Sequence, residues 1–423
     1  MLLELIFICI KMTKKIILIL GILVIVGIAG FLMLGGEPQT EGESRVGFSL
    51  RNYLPFGSSD NVGSEEEVVK PKEENLPTIE DPNKPLPRLR KLSKEPVAGA
   101  VVFNTGTTSV VRFVEKGTGN VYEATSDSLA IKRLTNTTIR KIIRAFWIPS
   151  GAGFLAQTLI PESEIIETNF VKLNKVSTST LSENLTPFST TISKLPTGIK
   201  ELTIKPDGTK IFYYTVSGNS RWFVANPDGT GATLLLSHPL TEWLPKWVSP
   251  NIVSMQQKSS AQTENFYYSF DTSSKVLKKT GVGVVGLSAN SNNDGSSTLV
   301  SSGGKTPRLF LINNKNFTSI NANTNTLADK CVWSKKEISV YCAIPNQIPN
   351  GAYPDDWYRG TLQTEDFLKK IDLNNIIYYN TADLSKESGE KIDVVDIMLS
   401  PDDTHLIFRN KTDGFLWLLR IED

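Results

Sequence analysis

Cys331 and Cys342 flank the stretch WSKKEISVY, and the first chemistry to ask of the chain is whether those two thiols meet. If the stretch is a hairpin turning at Lys336-Glu337, Lys335 pairs with Ile338, Ser334 with Ser339, Trp333 with Val340, Val332 with Tyr341 and Cys331 with Cys342. The two sulfurs then face each other on adjacent strands, which permits a disulfide when the Cβ atoms lie ~3.5–4.5 Å apart. Closing so short a loop stabilises by roughly 3 kcal/mol in the chain-entropy account. The alternative is a pair of reduced core thiols. Zinc is a poor third, because the chain has only two His and neither is near this pair.

The second constellation is the segment Ile344 to Lys370, IPNQIPNGAYPDDWYRGTLQTEDFLKK, which reads as a long insertion between two strands. Tyr353, Trp357, Tyr358 and Arg359 are residue types that dominate binding at protein interfaces, so this loop is the main candidate partner-binding element. The competing reading is a loop that folds back over its own sheet. A further aromatic stretch, GFSLRNYLPFG (Gly47 to Gly57), adds Tyr53 and Phe56 as candidate partner contacts. It is open between a docking peptide, an interfacial membrane segment and inert linker.

Catalytic constellations are poor. His238 precedes a proline in SHPLTEW and His405 opens a strand in DDTHLIF, with no nucleophile or ligand cluster beside either. No G-x-S-x-G elbow occurs in the chain. The pairs Asp355-Asp356 and Asp402-Asp403 are sequence neighbours of the kind turns use to cap backbone N–H groups. NSNNDG at 290–295 lacks the alternating ligands and terminal Glu of a calcium loop. No catalytic, cofactor-binding or metal residue is assigned, and the expectation is a protein that is not an enzyme.

The elements that must position these residues are short strands. LSPDDTHLIFRNKTDGFLWLLRI (Leu399 to Ile421) reads as strand, Pro-Asp turn, strand, Thr-Asp-Gly turn and strand, and weaker copies stand upstream. They are LTIKPDGTKIFYYTVSGNSRWFVANPDG (202–229), FWIPSGAGFLAQTL (146–159), KWVSPNIVSMQQ (246–257) and CVWSKKEISVYCAIP (331–345). The KPDG at 205–208, the SPDD at 400–403 and the WS at 333–334, each followed by an apolar strand, resemble the TolB-type, WD40-like propeller repeat, whose consensus is near W-S-P-D-G. The resemblance covers the chain from about Arg88 to the end. It is closest in the last copy and at 202–229, while VVGLSANSNNDGSSTLV (284–300) has lost both the proline and the aromatic. It implies an extracytoplasmic protein-interaction platform. The same repeats also form the gating domain of prolyl-oligopeptidase-like enzymes, so the fold is implied more firmly than a function.

Innermost strands are expected at 97–103, 141–148, 200–205, 244–249, 284–289, 329–334 and 394–400. Spacings of this size fit four-stranded blades of ~40–45 residues with insertions. The expected class is therefore all-β, a seven-bladed β-propeller, with six or eight blades as the alternatives. Trp147, Trp247 and Trp333 recur with the repeat and are expected as apolar wedges between blades. The chain stops after three strands of its last repeat, so RLRKLS (88–93) is expected to supply the missing outer strand.

Composition agrees with a turn-rich globular protein: 40% hydrophobic and 21% charged residues, with 22 Pro and 30 Gly in 423. A formal charge of +1 gives no global argument for nucleic acid as a partner. Ile16 to Leu34 carries no charge and at ~1.5 Å per residue is long enough to cross a ~30 Å hydrocarbon core. Lys11, Lys14 and Lys15 precede it, while Glu37, Glu41 and Glu43 follow. The charge bias predicts residues 1–15 in the cytoplasm, a signal anchor at 16–36 and everything after it outside, with a cleaved signal peptide as the alternative. Met12 opens a basic n-region and is a candidate true start. Residues 37–87 hold eleven carboxylates against five cations, a net of −6, and are expected to be a disordered tether leading to a propeller at 88–423. The expectation is a single-pass membrane protein that presents a protein-binding or scaffolding propeller. A binder of a small molecule or glycan at its mouth is the alternative, and a hydrolase or lyase the third reading.

Overall fold

A computed structural model describes residues 85–160, 165–176 and 186–421. The expected spanning segment, the tether, Tyr53 and Phe56 lie outside the described residues. Among those described, no helix is long and apolar enough to cross a membrane.

The repeat copies fold as four-stranded antiparallel sheets, seven of them among the described residues. Blades 1 to 6 each use four strands in chain order, interrupted among the described residues only in blade 4, where Glu264–Asn265 leaves to pair with Val284–Val285. Their innermost strands are Val97–Thr105, Ile142–Trp147, Ile199–Ile204, Trp243–Trp247, Ser288–Ser291 and Cys331–Trp333. Blade 7 takes Val394–Leu399, His405–Asn410 and Leu416–Arg420 from the end of the chain. Its outer strand is Leu89–Lys91, paired antiparallel with Leu416–Arg420 so that Leu89 faces Leu419. Innermost strands of blades 1 to 4 touch in succession, as do those of blades 6 and 7. Ser288–Ser291 of blade 5 meets Ile252–Gln257 of blade 4 and the turn Ala328–Lys330 before blade 6, and Val394–Leu399 meets Val97–Thr105, which closes the ring. The protein is thus a seven-bladed β-propeller.

A single blade would leave both its faces wet; in the ring each face is covered by a neighbour. The buried residues accordingly fall into clusters that straddle seams, such as Val97, Val111 and Phe113 of blade 1 with Leu92, Ile407, Leu416 and Leu418 of blade 7. Trp147, Trp247 and Trp333 are 7%, 6% and 7% exposed and sit at these seams. Trp147 Nε1 donates to the Gly99 carbonyl of blade 1 (3.1 Å) and Trp333 Nε1 to the Asn290 carbonyl of blade 5 (3.0 Å). Gly99 is obligatory there, because a Cβ would stand 2.0 Å from the Ala145 carbonyl oxygen of blade 2.

Blade 5 departs from the expected register. Its innermost strand is Ser288–Ser291, not 284–289, and Val284–Val285 pairs instead with Glu264–Asn265 in a small separate ribbon. Gly286, with φ of 65°, turns the chain between the two. The apolar VVGL run misleads because Val284 and Val285 serve the ribbon, while polar Ser288 and Asn290 occupy the buried strand.

Candidate functional site

Cys331 and Cys342 form a disulfide, with Cα atoms 4.1 Å apart. The hairpin register is Cys331 opposite Cys342, Val332 opposite Tyr341 and Trp333 opposite Val340. Both cysteines are buried among Leu299, Leu309, Trp333 and Ile371 at the seam with blade 5.

The insertion of blade 6 leaves the second strand at Pro345 and rejoins the third at Asp366. Its middle is one helical turn, Asp355–Arg359, with two acids in the first turn and Arg359 in the last, as the helix dipole favours. Gly360 ends the turn in the left-handed region at φ 79°. From there the loop reaches across the mouth. Tyr353 exchanges backbone hydrogen bonds with Gly304 of blade 5 at 2.8 and 2.9 Å. Asp355 accepts from the Ala261 N–H and the Ser260 hydroxyl of blade 4, both at 3.2 Å. Tyr358 Oη donates to Asp329 at the lead-in to blade 6, and Lys411 of blade 7 donates to the Trp357 carbonyl. The approach over blade 5 needs Gly303, since a Cβ there would lie 2.2 Å from the Tyr353 carbonyl oxygen. One loop therefore reaches from blade 6 over blades 4, 5 and 7.

Tyr353 and Trp357 do not present a surface. They are 2% and 4% exposed, packed with Leu327 and Leu362, so the self-packing reading describes these two. Tyr358 is 42% exposed, and the Arg359 side chain is 65% exposed beside Asp355 and Asp356.

Beneath the roof lies a network that the sequence reading missed. Lys330 Nζ donates to Thr364 Oγ1 (2.6 Å), Asp366 Oδ2 (2.6 Å) and Asp393 Oδ1 (2.7 Å). Trp357 Nε1 donates to both Asp393 oxygens at 3.0 and 3.1 Å, and its ring stands 5.1 Å from Nζ. Burial pushes the Asp366 carboxyl above the usual range, opposed by Lys330 and assisted by Asp393. For Asp393 burial acts in the same sense, but the Lys330 charge and the Lys330 and Trp357 hydrogen bonds outweigh it and hold the carboxyl low. Lys330 and Asp393 stand immediately before strands and Asp366 opens one, positions where charged residues are ordinary, so nothing in the sequence marks the network.

Lys246, Asn290, Asp329 and Tyr358 form a second polar group, at the axial channel. Lys246 and Asn290 are on innermost strands, and Nζ donates to Asn290 Oδ1 at 2.6 Å. Lys246, Asp329 and Tyr358 are exposed to water while their charged and polar ends crowd one another. Desolvation lowers the Lys246 ammonium with Asp329 opposing, raises the Asp329 carboxyl, and raises the Tyr358 phenol well above its ordinary range. Elsewhere in the ring, Arg144 pairs with Glu201 at 2.6 Å and Arg409 with Asp396 at 2.6 Å. A cavity of about 310 Å³ lies there, lined by Gly99, Lys116, Arg144, Asp396 and Arg409, with another of about 350 Å³ between blades 3 and 4. Among the described residues no group of three or more His, Cys, Asp or Glu could hold a metal ion.

No family model matches the chain, and no curated protein matches it. Solved structures do resemble it. An oligogalacturonate lyase in complex with manganese aligns at 12% identity and a TM-score of 0.53, covering 79% of this chain and 93% of its own. An oligogalacturonate lyase from Vibrio parahaemolyticus aligns at 10% identity and 0.53, covering 79% and 94%. TolB from Acinetobacter baumannii aligns at 10% identity and 0.39, covering 73% and 61%. The fold is shared. At these identities nothing beyond the fold follows from the likeness.

Proposed function

We propose that the chain is a membrane-anchored, extracytoplasmic propeller whose mouth face binds a protein partner. The observation that carries this reading is the roof. Asp355 and Trp357 turn inward onto blades 4 and 7. Tyr358 and Arg359 stay exposed on the outer surface of the loop, each held by an acid, Tyr358 by Asp329 and Arg359 by Asp355 and Asp356. Exposed apolar residues stand on neighbouring loops of the same face: Leu240 before blade 4, and Val282 and Val285 before blade 5. Apolar groups on a polar rim are what a protein interface uses. The uncharged apolar run at 16–34 and the acidic stretch at 37–87, read from the sequence as an anchor and a tether, support display outside the membrane.

A photo-crosslinking residue placed at Val282 and, as control, at Ile338 on the opposite face tests the reading. One discrete adduct from position 282 alone is expected. Adducts from neither position, together with a thermal shift on adding an acidic oligosaccharide, would move the reading to the second one. That second reading, a small-molecule or glycan binder, rests on the open cavity beside Arg144 and Lys116. The lyase likeness is of the fold alone and adds no catalytic residue.

A further inference from the structure

Lys330, Asp366 and Asp393 are 1%, 0% and 0% exposed, so the ammonium and both carboxyl groups are shut away from water. One cation beside two acids leaves an acid in excess where an unpaired charge costs most. The reacting groups are also held: Nζ lies 2.6 Å from Asp366 Oδ2, and the Trp357 ring and indole N–H close the far side. Fixing an amine against a carboxyl group in this way raises its effective concentration by many orders of magnitude over free solution.

We propose that Lys330 and Asp366 condense to an intramolecular isopeptide bond, with Asp393 as the carboxylate that moves the protons. Nζ hands a proton to Asp393 Oδ1, 2.7 Å away, and the free amine attacks Cγ of Asp366. Negative charge develops on Oδ2, where the Val394 N–H already donates at 2.8 Å, an oxyanion-type donor. Thr364 Oγ1 stands 2.9 Å from Asp393 Oδ1 and 2.9 Å from Asp366 Oδ1, and so bridges the base to the leaving oxygen. Two protons leave Nζ in all: one joins the proton already on Oδ1, which departs as water, and the other stays on Asp393, which ends neutral. The C–N bond forms, the C–O bond breaks, Oδ2 remains as the amide oxygen, and no oxidant or co-reactant is needed. The directions also fit: burial pushes the Asp366 carboxyl up while Lys330 and the hydrogen bonds hold Asp393 low, so of the two acids Asp366 is the one that more readily holds a proton.

Condensation removes one ammonium and one carboxylate from a dry site and leaves Asp393 hydrogen-bonded to Trp357 and Thr364. It joins the lead-in of blade 6 to its third strand at the base of the roof, one residue from the disulfide.

Mass spectrometry of the full chain, denatured and reduced, tests the proposal. The expected intact mass is one water below that of the sequence. Trypsin should fail to cut after Lys330 and should release a branched peptide that also carries Asp366, which separates the cross-link from dehydration elsewhere. Asp393→Asn should return the chain to its full sequence mass with Lys330 and Asp366 still present. A wild-type chain at full mass, cleaved normally after Lys330, overturns the proposal. If Asp393→Asn does not fold, the wild-type mass and peptide map decide it alone.

Discussion

Two seams of the ring solve the same problem with opposite chemistry. Between blades 3 and 4 the contact is aromatic. Trp222 stands edge-on to Trp243 at 5.3 Å and to Phe270 at 5.0 Å, with Phe212 at 5.9 Å, and Trp222 is 0% exposed. Its polar groups are few: Tyr214 Oη donates to the Trp243 carbonyl and accepts from the Trp243 N–H, while the buried Trp247 Nε1 has no hydrogen-bond partner among the described residues. Between blades 6 and 7 the contact is the Lys330, Asp366 and Asp393 network under Trp357. The aromatic seam draws on area, which tolerates small shifts. The ionic seam works only when every partner is in place, so it fixes where the roof sits.

Breaking the aromatic seam should have the largest effect. Trp222→Ala removes a fully buried indole and should cost about 4 kcal/mol, read as a lowered urea midpoint. A loss below about 1 kcal/mol would mean that the seam repacks and the contrast is wrong. Lys330→Met strikes the ionic seam by leaving two buried acids without their cation. About 3 kcal/mol should be lost at neutral pH. A triple variant that also carries Asp366→Leu and Asp393→Leu should recover part of that loss, because an apolar filling needs no partners. If the triple variant is worse than the single one, the network contributes more than mutual compensation.

The disulfide provides a third comparison, since it staples blade 6 while the aromatic seam has no covalent help. Cys331→Ala with Cys342→Ala opens a loop of sequence separation 11 and should cost roughly 3 kcal/mol or somewhat less, as native strain and residual structure subtract from it. Equal melting of the oxidised and reduced wild-type chains would show that packing around Leu299 and Ile371 already does the stapling.

Much of this ring was legible because the repeat has a physical cause. Turns marked Pro-Asp and Asp-Gly set the hairpins, and a seam aromatic recurs wherever one blade wedges against the next, as Trp147 and Trp333 do. The Cys331 to Cys342 register could be counted from one short turn. Blade 5 was misplaced for an equally physical reason. Ser288 is buried with its hydroxyl accepting from the Asp329 N–H, and Asn290 satisfies the Ala328 and Cys331 carbonyls, so polarity there marks the core rather than the surface. The roof was located, with partner binding and self-packing both open for its aromatics. Tyr353 and Trp357 look like surface anchors in sequence, and only the tertiary partners Gly304 and Asp393 turn them inward. Lys330 was invisible because its two acids lie 36 and 63 residues away.

The smallest expected effect concerns the turn SPDD of blade 7, where two adjacent carboxylates have different duties. Asp403 reaches across the seam and accepts from the Ser334 hydroxyl at 2.5 Å and the Lys335 N–H at 3.0 Å of blade 6. Asp402 stays at home and accepts from Ser400 Oγ at 2.6 Å and Thr404 Oγ1 at 2.8 Å. Partial burial works against the charge of Asp402, but those hydrogen bonds win and bring its pKa down to about 2. A folded value below the unfolded one contributes stability above pH ~4 that is lost as pH falls through about 2. Asp402→Asn keeps an acceptor in the turn and removes the charge. It should therefore cost about 1 kcal/mol at pH 6, after discounting for the half-exposed site. The gap from wild type should close as the pH falls from 4 to 2. A gap that stays constant over that range would assign the cost to turn geometry and leave the charge with no part in it.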